Sequence, residues 1–259
     1  MEINNEIVQR LVDHVNESIY RADRNLSKIR VEKIYKLMSG MNSSRVRHLI
    51  NNICSLKDSK LLDLGTFRGA IAISAAWEND VKVYAVDLYN YDPYEAKPVN
   101  TKEPWPNVLK DLRERIELFK LNDSIEVVVE NIYKLNKKII PEPINICYYD
   151  ASPLPEDIKR SVKAVTPLLD KYCIFICSNT QDRNIINAFE EAFVDNEVVA
   201  HWSTELRSRV KHDQNTWWDG IRVWIVETPG SFRDIKTDIQ KENEKLREER
   251  LNKKKEEDK

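Results

Sequence analysis

The sequence predicts a doubly wound α/β fold: a mostly parallel sheet closed by one antiparallel strand, with a helical extension before it and a charged helix or tail after it. Three observations predict it. Short apolar runs alternate with amphipathic segments from about residue 60 to residue 203, the pattern of parallel strands joined by crossover helices. Several runs end on polar or acidic residues, at Asp63-Leu64-Gly65, Asp87, Glu130-Asn131 and Asp150, where a parallel sheet presents its carboxyl edge. The stretch 204–219 has no helical apolar spacing, so the runs at 197–203 and 221–227 are expected to pair directly as an antiparallel couple.

Element by element, Ile3, Ile7, Leu11, Val12, Val15 and Ile19 fall at three- and four-residue steps and predict an amphipathic helix over 3–19. Val31, Ile34, Leu37 and Met38 predict a second helix. Ser43 and Ser44 stand where a side-chain oxygen caps a third, carrying Val46, Leu49, Ile50 and Ile53. Residues 1–56 thus form an N-terminal helical extension. The main domain, 57–229, opens with a strand at Leu61-Leu62-Asp63-Leu64, a helix of small residues at 70–77 and a strand from Val81 to Val86. A helix at 107–121 carries Val108, Leu112, Ile116 and Phe119. Strands follow at Ile125–Val129 and Ile144–Tyr149, a helix at 156–169, a strand at Tyr172–Cys177, and a helix at 183–193. Strands at 197–202 and 221–226 close the series. Residues 230–259 are nearly all polar or charged, and their few large apolar residues hold no heptad, which reads as a helical or disordered tail.

Composition narrows the function classes. Of 259 residues, 41% are hydrophobic, enough for a sizeable core, and the net charge of −2 gives no bulk attraction to nucleic acid or to an anionic membrane. The start MEINNEIVQR lacks the apolar segment of a secretory signal, and no stretch approaches the roughly 20 apolar residues of a membrane helix. Cys54, Cys147, Cys173 and Cys177 form no CxxC pair, and three lie in apolar runs. They read as buried reduced thiols of a soluble cytoplasmic protein, in the host cytoplasm if the chain is viral.

The chemistry concentrates at Asp63-Leu64-Gly65-Thr66-Phe67-Arg68-Gly69, between the first strand and the first helix of the domain. Gly65 lets the backbone turn sharply, and Gly69 lets the helix start close to ligand and sheet. Dinucleotide-binding turns read GxGxxG and rest a pyrophosphate on the helix N-terminus. Here Asp63 and Leu64 replace that start. A carboxylate repels a pyrophosphate and suits a ligand with an amino group. Asp87, 22 residues beyond Gly65, stands where an acid accepts hydrogen bonds from a ribose diol, with Leu88 next to it. Glu130-Asn131 and Asp150, at the ends of the third and fourth strands, face the same edge.

LLDLGTFRGAIAISA and YAVDLY resemble the glycine-rich first motif and acidic second motif of class I S-adenosylmethionine-dependent methyltransferases, which are Rossmann-like. The chain is also similar to a group found in phages, large viruses and bacterial surface-glycan gene sets, through RHLINNIC at 47–54, GTFRG, YYDAS and NTWWDGIRVWIVE. The resemblance covers about residues 45–228. It implies S-adenosylmethionine as cofactor, with Asp63, Gly65, Thr66, Arg68 and Gly69 around its methionine part, Asp87 and Leu88 at the ribose, Glu130 and Asn131 at the adenine, and Asp150 near the sulfonium and the acceptor. Arg68 would pair with the cofactor carboxylate or with Asp63. Metal-dependent relatives use an acid after the fourth strand and an Asp-Asn or Asp-Asp pair after the fifth. This chain has Asp150 and then Ser178-Asn179, one carboxylate short, so no metal site is assigned.

Loop 204–219 supplies the remaining candidates: Glu205, Arg207, Arg209, Lys211, His212, Asp213, Trp217 and Trp218. His212 is a candidate general base beside Asp150, with an ordinary exposed loop histidine as the alternative. Arg207, Arg209 and Lys211 suit an anionic acceptor, or are simply solvated. Trp217 and Trp218 suit stacking on a sugar or a base, with core packing as the alternative for at least one of them. His14, His48 and His201 read as structural, and Tyr89–Tyr94 as a lid wall or a contact for adenine. The leading expectation is O-methylation of a glycan or small polar molecule. The alternatives are a non-catalytic cofactor-binding scaffold and a nicotinamide-dependent oxidoreductase. The terminal helices are the candidate surfaces for homo-oligomer formation.

Overall fold

A computed structural model describes residues 6–29, 40–89 and 108–229. The expected helix around Val31–Met38, the wall beyond Tyr89 and the tail at 230–259 lie outside the described residues.

Helix α1 (Glu6–Ala22) buries Val8, Val12, Val15 and Ala22. Ile7, expected on its apolar face, is exposed instead, because its neighbour Val8 begins the i, i+4, i+7 stripe that meets the core. Helix α2 (Ser44–Ile53) starts where Ser43 caps it, the Ser43 side chain accepting from the backbone N–H of Val46. The domain then runs β1 (Ser59–Leu64), α3 (Ala70–Ala76), β2 (Val81–Asp87), α4 (Val108–Leu118), β3 (Ile125–Val129), β4 (Ile144–Tyr149), α5 (Pro155–Val165), β5 (Leu169–Ser178), α6 (Arg183–Asp195), β6 (Val199–Leu206) and β7 (Ile221–Glu227). The long helix expected over 156–169 stops at Val165, and Thr166–Leu168 form a 3₁₀ turn containing Pro167, which lacks the N–H a helix needs. Strand β5 therefore starts three residues before the expected Tyr172.

The seven strands form one sheet in the order β3-β2-β1-β4-β5-β7-β6. Strands β1 to β5 pair in parallel. The antiparallel couple of β6 and β7 is present, and β7 inserts between β5 and β6, pairing antiparallel with both. Side chains alternate between the faces. Leu61, Val83, Ile146, Ile174 and Ile225 face one layer, which also holds Val8, Val12 and Val15 of α1, Leu49 and Ile53 of α2, Ile73 of α3 and Leu112 of α4. Leu62, Tyr84, Cys147, Phe175 and Trp224 face the other, with Ile158 and Val162 of α5 and Phe189 and Phe193 of α6.

The N-terminal helices therefore share their core with the sheet. Buried amides reinforce the docking. Asn51 Nδ2 donates to the carbonyls of Ser74 and Trp77, and Asn79 Nδ2 donates to those of Asn51 and Ala75. These bonds satisfy backbone oxygens at the ends of α2 and α3 that would otherwise be stranded. The histidines outside the loop also serve packing. His14 meets the Ile53 carbonyl, His48 bonds the Ser27 hydroxyl, and His201 bonds Glu227.

Candidate active site

The turn after β1 is held from three sides. The N–H groups of Gly65 and Thr66 point at the Val86 carbonyl on β2, and the N–H of Asp150 donates to the Leu64 carbonyl. Gly65 has φ +87°, and a β-carbon there would lie 2.2 Å from the Asp150 carbonyl oxygen. Phe67 donates its N–H to Asp87 Oδ2 at 2.9 Å, while Tyr89 donates to Asp87 Oδ1 at 3.1 Å. Asp87 thus ties the glycine turn to the end of its own strand.

These strand ends open onto a cavity of about 680 Å³, within the size range of small-molecule sites. Gly65, Thr66, Asp87, Leu88, Glu130, Asn131 and Asp150 all line it, so seven of the residues assigned from sequence come together at one place. Met41 and Asn42, from the segment before α2, and Asn179, after β5, complete its wall. Among the described lining residues the charged ones are Asp87, Glu130 and Asp150, with no lysine, arginine or histidine.

Asp150 sits at the junction of β4 and β5. Its Oδ1 accepts from the Ser178 hydroxyl and from Asn179 Nδ2. Enclosure pushes its pKa up to about 6; the two hydrogen bonds hold it down and the nearby Asp219 carboxylate adds to the rise. Beside it, Tyr149 donates to the Ser152 carbonyl, while the Ser152 hydroxyl and the Tyr133 hydroxyl both donate to Asp157, which stiffens the wall. Asn131 Oδ1 accepts the N–H of Tyr133.

Four of the expected site residues are placed elsewhere. Asp63 does not line the cavity. It is fully buried beneath the turn, and neither carboxylate oxygen has a hydrogen-bond partner; the Thr66 hydroxyl donates to the Asp63 backbone carbonyl instead. Burial raises its pKa to about 8, opposed by the nearby Thr66 hydroxyl and Ala72 N–H, which lie outside good hydrogen-bond geometry, and aided by the charges of Asp150 and Asp87, so it is mostly protonated at neutral pH. Arg68 does not line the cavity, and its Nε lies 3.6 Å from Asp111 on α4. Gly69, with φ +81°, makes its close approach to Leu112 of α4, 2.3 Å from where a β-carbon would stand, and not to the cavity.

The fourth, His212, lies in the loop between β6 and β7, outside the lining. Its Nδ1 is 2.7 Å from Asp219 Oδ2, its backbone N–H donates to the other Asp219 oxygen, and its ring packs on Trp218. The Asp219 carbonyl accepts from Gln181 and the Gly220 carbonyl from Thr180, which stitches this loop to the chain just past Asn179. Sequence reasoning missed Asp219, since an acid before a glycine reads as a turn residue, and it missed Asn42. Of the other loop candidates, Arg207 is engaged by Glu205, and Trp217 is buried in the core. Among the described residues no group of three or more His, Cys, Asp or Glu is arranged to hold a metal.

No protein-family model matches the sequence, and no curated protein matches it. Solved structures do match the fold. The TrmN protein from Thermus thermophilus superposes with a TM-score of 0.51 at 13% identity, over 76% of this chain and 52% of that one. A protein described as a methyltransferase and complexed with S-adenosylhomocysteine gives 0.51 at 14% identity, over 74% of this chain and 50% of its own. A protein from Klebsiella pneumoniae described as an O-methyltransferase gives 0.47 at 13% identity, over 87% of this chain and 91% of its own. The chain spans about half the length of the first two. At these identities the likeness of the first two establishes the fold alone, a Rossmann-like α/β sheet.

Proposed function

We propose that the chain is an S-adenosylmethionine-dependent methyltransferase that acts on a hydroxyl of a small polar acceptor, a sugar or glycan in the first instance. The observation that carries this reading is the charge of the cavity. Among the described lining residues, the charged ones are all acids. A sulfonium and an ammonium group gain energy in such a field, whereas the pyrophosphate of a nicotinamide dinucleotide loses it.

The residues fit such a ligand. Asp87 accepts a backbone N–H at each oxygen, and a carboxylate, an acceptor with about four lone-pair sites, suits a ribose diol. Glu130 and Asn131 would border the adenine, and the turn from Gly65 to Phe67 the methionine part. The cofactor supplies a methyl group activated on sulfur. The protein is left to align the acceptor and to receive its proton. Asp150, mostly ionised at neutral pH with a pKa of about 6, is positioned for that at the end of β4. His212 is the second base in this reading. It stands outside the cavity lining in the β6–β7 loop, where Asp219 holds its Nδ1 and leaves Nε2 to face an acceptor that reaches the loop. The four cysteines, all free and buried, suit a reducing cytoplasm.

Calorimetry tests the reading. S-adenosylmethionine and S-adenosylhomocysteine should bind in the micromolar range, NADH should not, and Asp87→Ala should weaken the nucleosides about tenfold or more, the scale of a lost hydrogen bond to a charged group. Binding of NADH in place of S-adenosylhomocysteine would overturn it. Methyl transfer to a panel of sugars, with RNA as the contrasting acceptor and Asp150→Ala as the control, then distinguishes a sugar enzyme from an RNA enzyme and from a scaffold with no turnover.

A further inference from the structure

The cavity contains a problem for the ligand proposed above. A methionine moiety carries a carboxylate, and among the described residues the lining offers no cation to receive it. Among the described residues, the anion is left with neutral N–H or O–H donors. The Ser161 hydroxyl, which also lines the cavity and has no hydrogen-bond partner among the described residues, stands on α5, the helix that packs on the sheet face opposite α3. Most other side-chain donors of the lining are already committed. Asn179 Nδ2 donates to Asp150, and the Ser152 hydroxyl donates to Asp157. The Thr66 hydroxyl donates to the Asp63 carbonyl. Asn131 stands at the tip of β3, at the adenine end.

Asn42 differs. It lies in the segment that leads from the N-terminal extension into α2, it is buried, and it lines the cavity. The buried Arg47 donates from Nε to Asn42 Oδ1 at 2.6 Å, and from a terminal nitrogen to the Asn42 carbonyl at 3.2 Å. A guanidinium only donates, so this contact fixes which end of the amide is oxygen. The Nδ2 group is left with both hydrogens, and no hydrogen bond among the described residues uses it. A charged donor on the oxygen also polarises the amide and strengthens its N–H groups.

Position agrees with chemistry. Gly40 packs so tightly on the first residue of α3 that a β-carbon would lie 2.5 Å from the Ala70 side chain. Ser43 donates to the Thr216 carbonyl in the loop between β6 and β7. Asn42 is therefore clamped between the start of α3 and that loop, on the opposite side of the cavity from β3. A nucleoside with its base at β3 would extend its amino-acid tail toward it.

We infer that Asn42, oriented by Arg47, binds the carboxylate of the cofactor's amino-acid tail, which makes the N-terminal extension part of the cofactor site. This rests on the S-adenosylmethionine reading, and the experiment separates the two. S-adenosylhomocysteine and 5′-methylthioadenosine, which lacks the amino-acid tail, are titrated into the full chain and into Asn42→Asp and Asn42→Ala. Asn42→Asp keeps the side-chain volume and the bond from Arg47 while replacing the N–H donors by an acceptor. Both variants should lose S-adenosylhomocysteine affinity by roughly 10- to 100-fold, the cost of a hydrogen bond to a charged group, and should hold 5′-methylthioadenosine within about twofold of the unaltered chain. Equal loss of both ligands, by unfolding or by collapse of the cavity, or loss of neither, overturns the role of Asn42. If the unaltered chain binds neither ligand, the cofactor reading itself fails and takes this inference with it.

Discussion

Gly65 passes so close to Asp150 that a β-carbon on the glycine would stand 2.2 Å from the Asp150 carbonyl oxygen and 2.7 Å from its carbonyl carbon. The obstacle is backbone, which cannot swing aside, and the φ of +87° disfavours any side chain. The ends of β1 and β4 can share one cavity only because residue 65 has no side chain. Gly65→Ala should lower stability by on the order of 3 kcal/mol and abolish measurable S-adenosylhomocysteine binding. Chemical denaturation and calorimetry check both; a variant with unaltered affinity would mean that the turn does not shape the site.

Asp63 makes stability depend on pH with a defined sign. Its folded pKa, about 8, lies above the ordinary carboxylate value of about 3.8. Between those values the folded chain binds more protons than the unfolded chain, so stability falls as pH rises, with a limiting slope of about 1.4 kcal/mol per pH unit. Asp63→Asn has no proton to lose. Its stability relative to the unaltered chain should therefore improve from pH 5 to pH 8 in paired denaturant titrations. A difference that stays constant with pH would show that the carboxyl titrates normally.

Asp219 presents one oxygen to the His212 ring and the other to the His212 backbone. Asp219→Asn retains only one acceptor and loses control of the tautomer. If His212 receives the acceptor proton, this change and His212→Ala should each lower turnover by roughly 10²-fold, with S-adenosylhomocysteine affinity unchanged. Initial rates and calorimetry on the same preparations separate the two effects. Full turnover in His212→Ala would leave Asp150 as the base.

Cys54, Cys147, Cys173 and Cys177 are buried, and burial raises the pKa of each thiol. The thiolate is the reactive form. An aromatic disulfide reagent should therefore find essentially no reactive thiol in the native chain and all four after denaturation. Rapid labelling of the native protein would mean that the core opens easily.

Much of the fold was legible because burial writes a period into the chain. The alternation from Val81 to Asp87 and the spacing of Ile185, Ile186, Phe189 and Phe193 mark a strand and a helix directly. The lining residues Asp87, Glu130-Asn131 and Asp150 were legible for a related reason. A polar group at the end of an apolar run needs water, a ligand or a partner, and in a parallel sheet such ends collect on one edge. Asp63 misled because it stands one residue before the end of β1. It shares the parity of Leu61, which faces the core layer of α1 to α4, and that alternation was the available signal for its burial. Arg68 misled because turn position says nothing about direction, and its partner Asp111 is supplied by a helix 43 residues further along.

By itself, then, the sequence determined which segments are strands and helices, and that acidic strand tips stand along one edge of a parallel sheet, since local hydrophobic periodicity encodes both. Only the tertiary structure decided that β7 enters between β5 and β6, that Asp63 lies under the floor while Asp87 lines the wall, and that Asn42 and Asp219 reach the neighbourhood of Asp150 from opposite ends of the chain. Those outcomes depend on contacts between residues far apart in sequence, and no local pattern of residues carries the energy of a distant contact.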